Sequence, residues 1–168
     1  MPDIQWDFPL ANSVEGRILE AVKARLGTTD LPGIPAAKIV VQAFGWVPDE
    51  AVLPPPYIVV SPVPETTPWN DGTNERDDTL FGALISVVLA NAREMTRGLG
   101  LQLYWRERIR LKFQNKSPNT FTELTMPTGW FLLHVWIESG DKFIEAAKRD
   151  QRDAQYFIVR FRVREPRE

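Results

Sequence analysis

The sequence has no cysteine. That excludes disulfides, thiolate metal sites and cysteine nucleophiles together, and it fits a reducing compartment. It has a single histidine, His134, so a serine-based triad would have only that imidazole to use. No G-x-S-x-G elbow is present to meet it. Phosphate-cradling glycine motifs are missing too: neither G-x-x-x-x-G-K-S/T nor G-x-G-x-x-G occurs. Charge of one sign is not in excess. Lys and Arg number 20 against 22 Asp and Glu, a net charge of −2, so the overall basic excess that drives sequence-independent nucleic-acid binding is absent. No apolar run reaches the roughly 18 residues of a transmembrane helix. The opening MPDIQWDFPLANS lacks the basic region and apolar core of a signal peptide.

What is present is a globular composition. Of 168 residues, 43% are hydrophobic and 25% charged, enough for one domain with a real core. Six tryptophans and nine phenylalanines either fill that core or line a contact surface.

A helix is predicted over residues 13–26. Asn12 and Glu15 have capping-box spacing, with Asn12 as N-cap. Val14, Ile18, Leu19, Val22 and Leu26 form an apolar stripe, and Gly27 follows as the expected C′ residue. After the break LPGIP, the β-branched run KIVVQAF reads as a strand. Pro54, Pro55 and Pro56 forbid helix. YIVVSP (57–62) is the second strand. TLFGALISVVLAN (79–91) is the third; it is apolar on both faces, so cover is expected on both sides, from helices or a neighbouring subunit. A second helix is expected over residues 93–113, with Leu101, Trp105, Ile109 and Phe113 four apart and Tyr104 beside them. Gly98 and Gly100 weaken its first half. WFLLHVWIE (130–138) and QYFIVRFRVRE (155–165) are the fourth and fifth strands. The order gives an α+β fold: a mainly antiparallel five-stranded sheet flanked by two helices, with both on one face. The whole chain reads as one domain, with an N-terminal arm (1–12) and a long proline-rich loop (62–78).

That loop holds the densest cluster of acids. The stretch SPVPETTPWNDGTNERDD (61–78) carries three prolines, one glycine and five acidic residues. A calcium loop needs D-x-D-x-D-G spacing with a terminal Glu, and NDGTNERDD does not supply it. A catalytic magnesium site wants carboxylates fixed on rigid elements. A solvated or partner-facing loop tip explains Asp71, Glu75, Asp77 and Asp78 better, with Arg76 among them. His134 falls on the Trp130, Leu132 and Trp136 face of an alternating strand, where a lone histidine is ordinarily packed and hydrogen-bonded. On the fifth strand Phe157, Val159, Phe161 and Val163 point one way and Arg160, Arg162 and Arg164 the other. Three guanidinium groups in a row repel one another unless carboxylates meet them. The alternatives are a solvated face or a protected edge. Nucleic acid is a weaker option, because no aromatic alternates with the arginines.

Taken together, PYIVVSPVPE (56–65), GTNERDD (72–78), the long apolar strand and the helix segment WRERIRLKF (105–113) resemble the tail terminator (tail-completion or neck) proteins of long-tailed bacteriophages. The resemblance extends by element order from about residue 13 to residue 164. Residues 45–56 and 139–153 have no counterpart in it. It implies an α+β sheet flanked by helices, no cofactor and no chemistry. It further implies a structural virion protein, made in the host cytoplasm, that forms a homo-oligomeric ring, a hexamer in that family. Such a ring stops tail-tube growth and contacts the tail tube protein and the head–tail connector or stopper. DNA passes through the channel without specific binding, and no membrane is involved. On this basis Trp69 is expected as an interface anchor. Asp71, Glu75, Arg76, Asp77 and Asp78 are expected as an acidic patch facing Arg160, Arg162 and Arg164 of a neighbour. Competing expectations are another neck or tail component, a nuclease-like enzyme using Asp77, Asp78 and Glu138 around a metal, and a peptide-binding adaptor.

Overall fold

Five apolar strand-length runs form a sheet only if at least one of its faces is covered, and here helices cover one. The structure is a computed structural model that describes residues 9–43, 53–66, 76–89, 98–138 and 154–166. Helix α1 spans Val14–Gly27. Strands β1 (Ile39–Val41), β2 (Tyr57–Thr66) and β3 (Arg76–Val88) follow. Helix α2 is Leu99–Phe113, and β4 (Phe131–Glu138) and β5 (Ala154–Pro166) complete the described elements. The fold is α+β, with an open sheet of order β1-β2-β3-β5-β4. The sheet is mixed. β1 runs parallel to β2, and the other three pairs are antiparallel.

The inner face carries the core. Ile58 and Val60 of β2, Ala83, Ile85 and Val87 of β3, and Phe157, Val159, Phe161 and Val163 of β5 are buried there. Ile18, Val22 and Leu26 of α1 pack against them, as do Trp105, Ile109 and Phe113 of α2. Burying each of the larger side chains among these, Ile, Val, Leu or Phe, contributes about 1.5–3 kcal/mol. Polar groups lock the layers together. Trp105 Nε1 donates to the Pro32 carbonyl at 3.0 Å. That carbonyl belongs to a turn, 31–34, with proline second and Gly33 third at φ +82°, a position that favours glycine. Arg25 is buried on α1. It donates to both Glu123 carboxylate oxygens and to the carbonyls of Lys112 and Thr120, and it lies 4.1 Å from the Phe121 ring centroid. Burial alone pushes the Glu123 carboxyl up. The Arg25 hydrogen bond, a bond from its own backbone and the charges of Arg25 and Lys112 bring it below the usual range.

Several local expectations are corrected. The N-cap of α1 is Ser13, whose hydroxyl accepts from Gly16 N at 3.0 Å; Asn12 belongs to a preceding 3-10 turn, Leu10–Asn12. Gly27 is the last helical residue, and the cap is Thr28 at φ −94°, so no left-handed glycine ends this helix. Helix α2 begins at Leu99, and residues 90–97 lie outside the described residues. Leu101 is exposed, and Gln102 takes the inward position, accepting from Gln155 Nε2 at 3.2 Å. The loop is shorter than residues 62–78, because Pro62–Thr66 continue β2 and Arg76–Asp78 open β3. β1 pairs only with residues 58–60, so beyond Val60 one side of β2 carries no partner from β1. The register is irregular between Val63 and Thr66, which is where a strand tolerates Pro64.

Candidate functional site

The outer face of the sheet carries the charged row, and neither described helix packs on it. Alternation along β5 puts Arg160, Arg162 and Arg164 there. The neighbouring edge strand sets an aromatic side chain opposite each one: Trp136 faces Arg160, His134 faces Arg162 and Phe131 faces Arg164. A register shift between Leu132 and His134 produces this arrangement. The extra residue turns Leu132 toward the core, with Trp130, and brings Phe131 onto the outer face with His134 and Trp136. The expected grouping of His134 with Trp130 and Leu132 is therefore corrected. His134 is exposed and stacks on Trp136, with ring centroids 5.6 Å apart and planes at 24°.

On the other side of β5, the register places Asp78 opposite Arg164. The Asp78 side chain is fully buried (0% exposed). Its Oδ2 accepts from Arg162 Nη2 at 2.7 Å and Nε at 3.0 Å, and its Oδ1 accepts from Arg164 Nε at 2.6 Å. The Arg164 hydrogen bond is the main cause that holds this carboxyl below its usual range. Burial opposes it, and Arg162 adds to the lowering. The same pairing pushes Arg164 up. Arg160 Nε donates to Glu138 Oε1 at 3.2 Å. Gly82 of β3 makes room for the Arg160 side chain. A Cβ there would lie 2.9 Å from Arg160 Nη1 and 2.1 Å from Val63 Cγ2.

The structure thus brings together Asp78, Arg160, Arg162 and Arg164. Among the described side chains, carboxylates that meet the arginines are Asp78 and Glu138 of the same chain. Arg76 and Asp77 lie in β3 opposite Pro166 and Glu165, and their side chains fall outside those described, as do Trp69, Asp71 and Glu75. Residues that sequence reasoning missed are Phe131, His134 and Trp136 as neighbours of the arginine row. An antiparallel hairpin between the fourth and fifth runs is the signal that finds them.

The arrangement suits adhesion. It presents a half-buried cationic row flanked by the exposed rings of Phe131 and His134 and the half-buried ring of Trp136. Asp78 and Glu138 stand on strands separated by β5 and are each held by arginine. Among the described residues, no group of three or more His, Asp or Glu side chains is placed to hold a metal ion. No known protein family and no curated protein matches the chain.

Proposed function

We propose that the chain is a structural virion protein, a ring-forming tail terminator that caps a phage tail tube and joins the tail to the head connector. The observation that carries this reading is the outer sheet face. Three arginines and three aromatic side chains stand there in cross-strand register, with no described helix over them. A surface with Phe131 and His134 exposed and an ordered guanidinium row beside them is built to meet another protein, since aromatic and arginine side chains dominate interface energetics. In this reading the partners are copies of the same chain, the tail tube protein and the connector or stopper. DNA passes without specific contact, no cofactor takes part, and the protein moves from host cytoplasm to virion.

The test is the mass of the purified full chain by light scattering, with negative-stain imaging of the same sample, alone and with tail tubes. Rings, alone or on tube ends, are the expected result. A monomer at every concentration that also leaves tubes uncapped overturns the reading.

A further inference from the structure

An open sheet has two edges, and an unpaired strand edge is a template for another strand. The strand order puts β1 at one edge and β4 at the other. β1 is only three residues long and covers β2 only over residues 58–60. Beyond it the edge belongs to β2, which runs on to Thr66. The hydrogen bonds fix which way its backbone faces. Val60 O accepts from Gln42 N at 3.0 Å, so residue 60 turns its N–H and C=O toward β1, and residue 62 turns the same way. That residue is Pro62, exposed and still in register with Ala83 of β3. Proline has no N–H. The strand has therefore lost the donor that would face an added strand, while its ladder to β3 loses nothing at this position. Pro64, within the register irregularity that follows, removes a second donor from the same stretch.

β4 is closed differently. Lys116 N donates to Val135 O at 2.9 Å, and Val135 N donates to Lys116 O at 3.3 Å. This isolated antiparallel bridge lies on the side of β4 away from β5 and occupies the edge near the middle of the strand. Asn115, at φ +46°, makes the turn after α2 that brings Lys116 there, and asparagine is one of the few side chains that tolerate that conformation. A lysine on an edge also opposes strand docking.

We infer that both edges are guarded, β2 by Pro62 and β4 by the Lys116 bridge, so that copies of this chain meet through side chains and not by extending the sheet. Open edges would let copy add to copy without closure, and contacts that do not close make fibres. The inference stands on the fold alone and goes beyond the ring reading.

The test restores the missing donor. Pro62→Thr in the full chain adds an N–H at the open edge without adding apolar surface. Pairing of the opened edges should at least about double the mass seen by light scattering at a concentration where wild type is compared, with a rise in thioflavin T fluorescence. Asn115→Val, strained at positive φ, should speed amide exchange at Val135 and add mass in the same way. Ser61→Pro deletes an N–H that faces β3 and should lower the urea midpoint far more than Pro62→Thr does. Pro62→Thr with the wild-type mass and no thioflavin T signal overturns the guard on β2. Fast exchange at Val135 in Asn115→Val with the wild-type mass overturns the guard on β4. A Ser61→Pro midpoint no lower than that of Pro62→Thr overturns the backbone directions on which both rest. A wild type that forms no rings counts against the ring reading and leaves this inference standing.

Discussion

Asp78 is buried with two charged donors, and this makes it sensitive to acid. Arg164, with Arg162 adding to it and burial opposing, holds its carboxyl below the ordinary value, so the folded chain binds that proton less tightly than the unfolded chain does. Its stabilisation is therefore fully present above the ordinary carboxylate pKa of about 3.9 and is lost as pH falls through the lower folded value. Asp78→Asn removes the charge and keeps the shape. Near neutral pH it should cost on the order of 2 kcal/mol, typical of hydrogen bonds to charged groups. The acid side of the stability curve should also flatten. Urea unfolding from about pH 7 down to about pH 2.5 measures both. An acid limb as steep as the wild type's would show that the Asp78 pairing carries no folding energy.

At the scale of elements, the three-strand crossing β2–β3–β5 depends on one missing side chain. Gly82 stands between Val63 and Arg160, and adding a methyl group there meets one side chain from each neighbour. Gly82→Ala should cost about 1–3 kcal/mol by overpacking and lift Arg160 away from Glu138. A lowered urea midpoint at unchanged slope is the expected readout; an unchanged midpoint would mean the sheet yields freely there. This crossing also shows what the sequence discloses. The β-branched and aromatic runs are strong enough to announce all five strands, and period two announces the arginine row. Asp78 was expected to face the arginines of a neighbouring copy; that it meets Arg162 and Arg164 of its own chain was not legible, because this depends on β3 and β5 pairing end to end over 13 residues each. The parallel direction of β1 was hidden because three residues carry no directional signal. The turn of Leu132 toward the core was hidden because a bulge breaks alternation without marking the sequence. Ser13 displaced Asn12 as cap because both residue types cap well, and only the path of the preceding 3-10 turn decides between them.

For the whole molecule, the ring reading needs surfaces that serve assembly without serving the fold, and the outer face contains both kinds of residue. Arg162 and Arg164 hold a buried carboxylate, so reversing them disturbs folding and assembly together and cannot separate the two. Phe131 and His134 are exposed on an edge strand, and substitution at such positions is worth little to folding, usually within about 0.5 kcal/mol. The paired change Phe131→Ser and His134→Ser should therefore leave the melting temperature within a few degrees of wild type while shifting the mass toward monomer. Because the adjoining arginines are charged and partly exposed, salt should weaken wild-type assembly as well, over the range where the screening length falls from about 10 Å to about 3 Å. Light scattering on both proteins across that salt series separates the contributions. Loss of rings with intact melting places the outer face in the subunit contact. Intact rings in the variant, at every salt concentration, would exclude the outer face from the subunit contact, and the arginine and aromatic row would then face the tube or the connector.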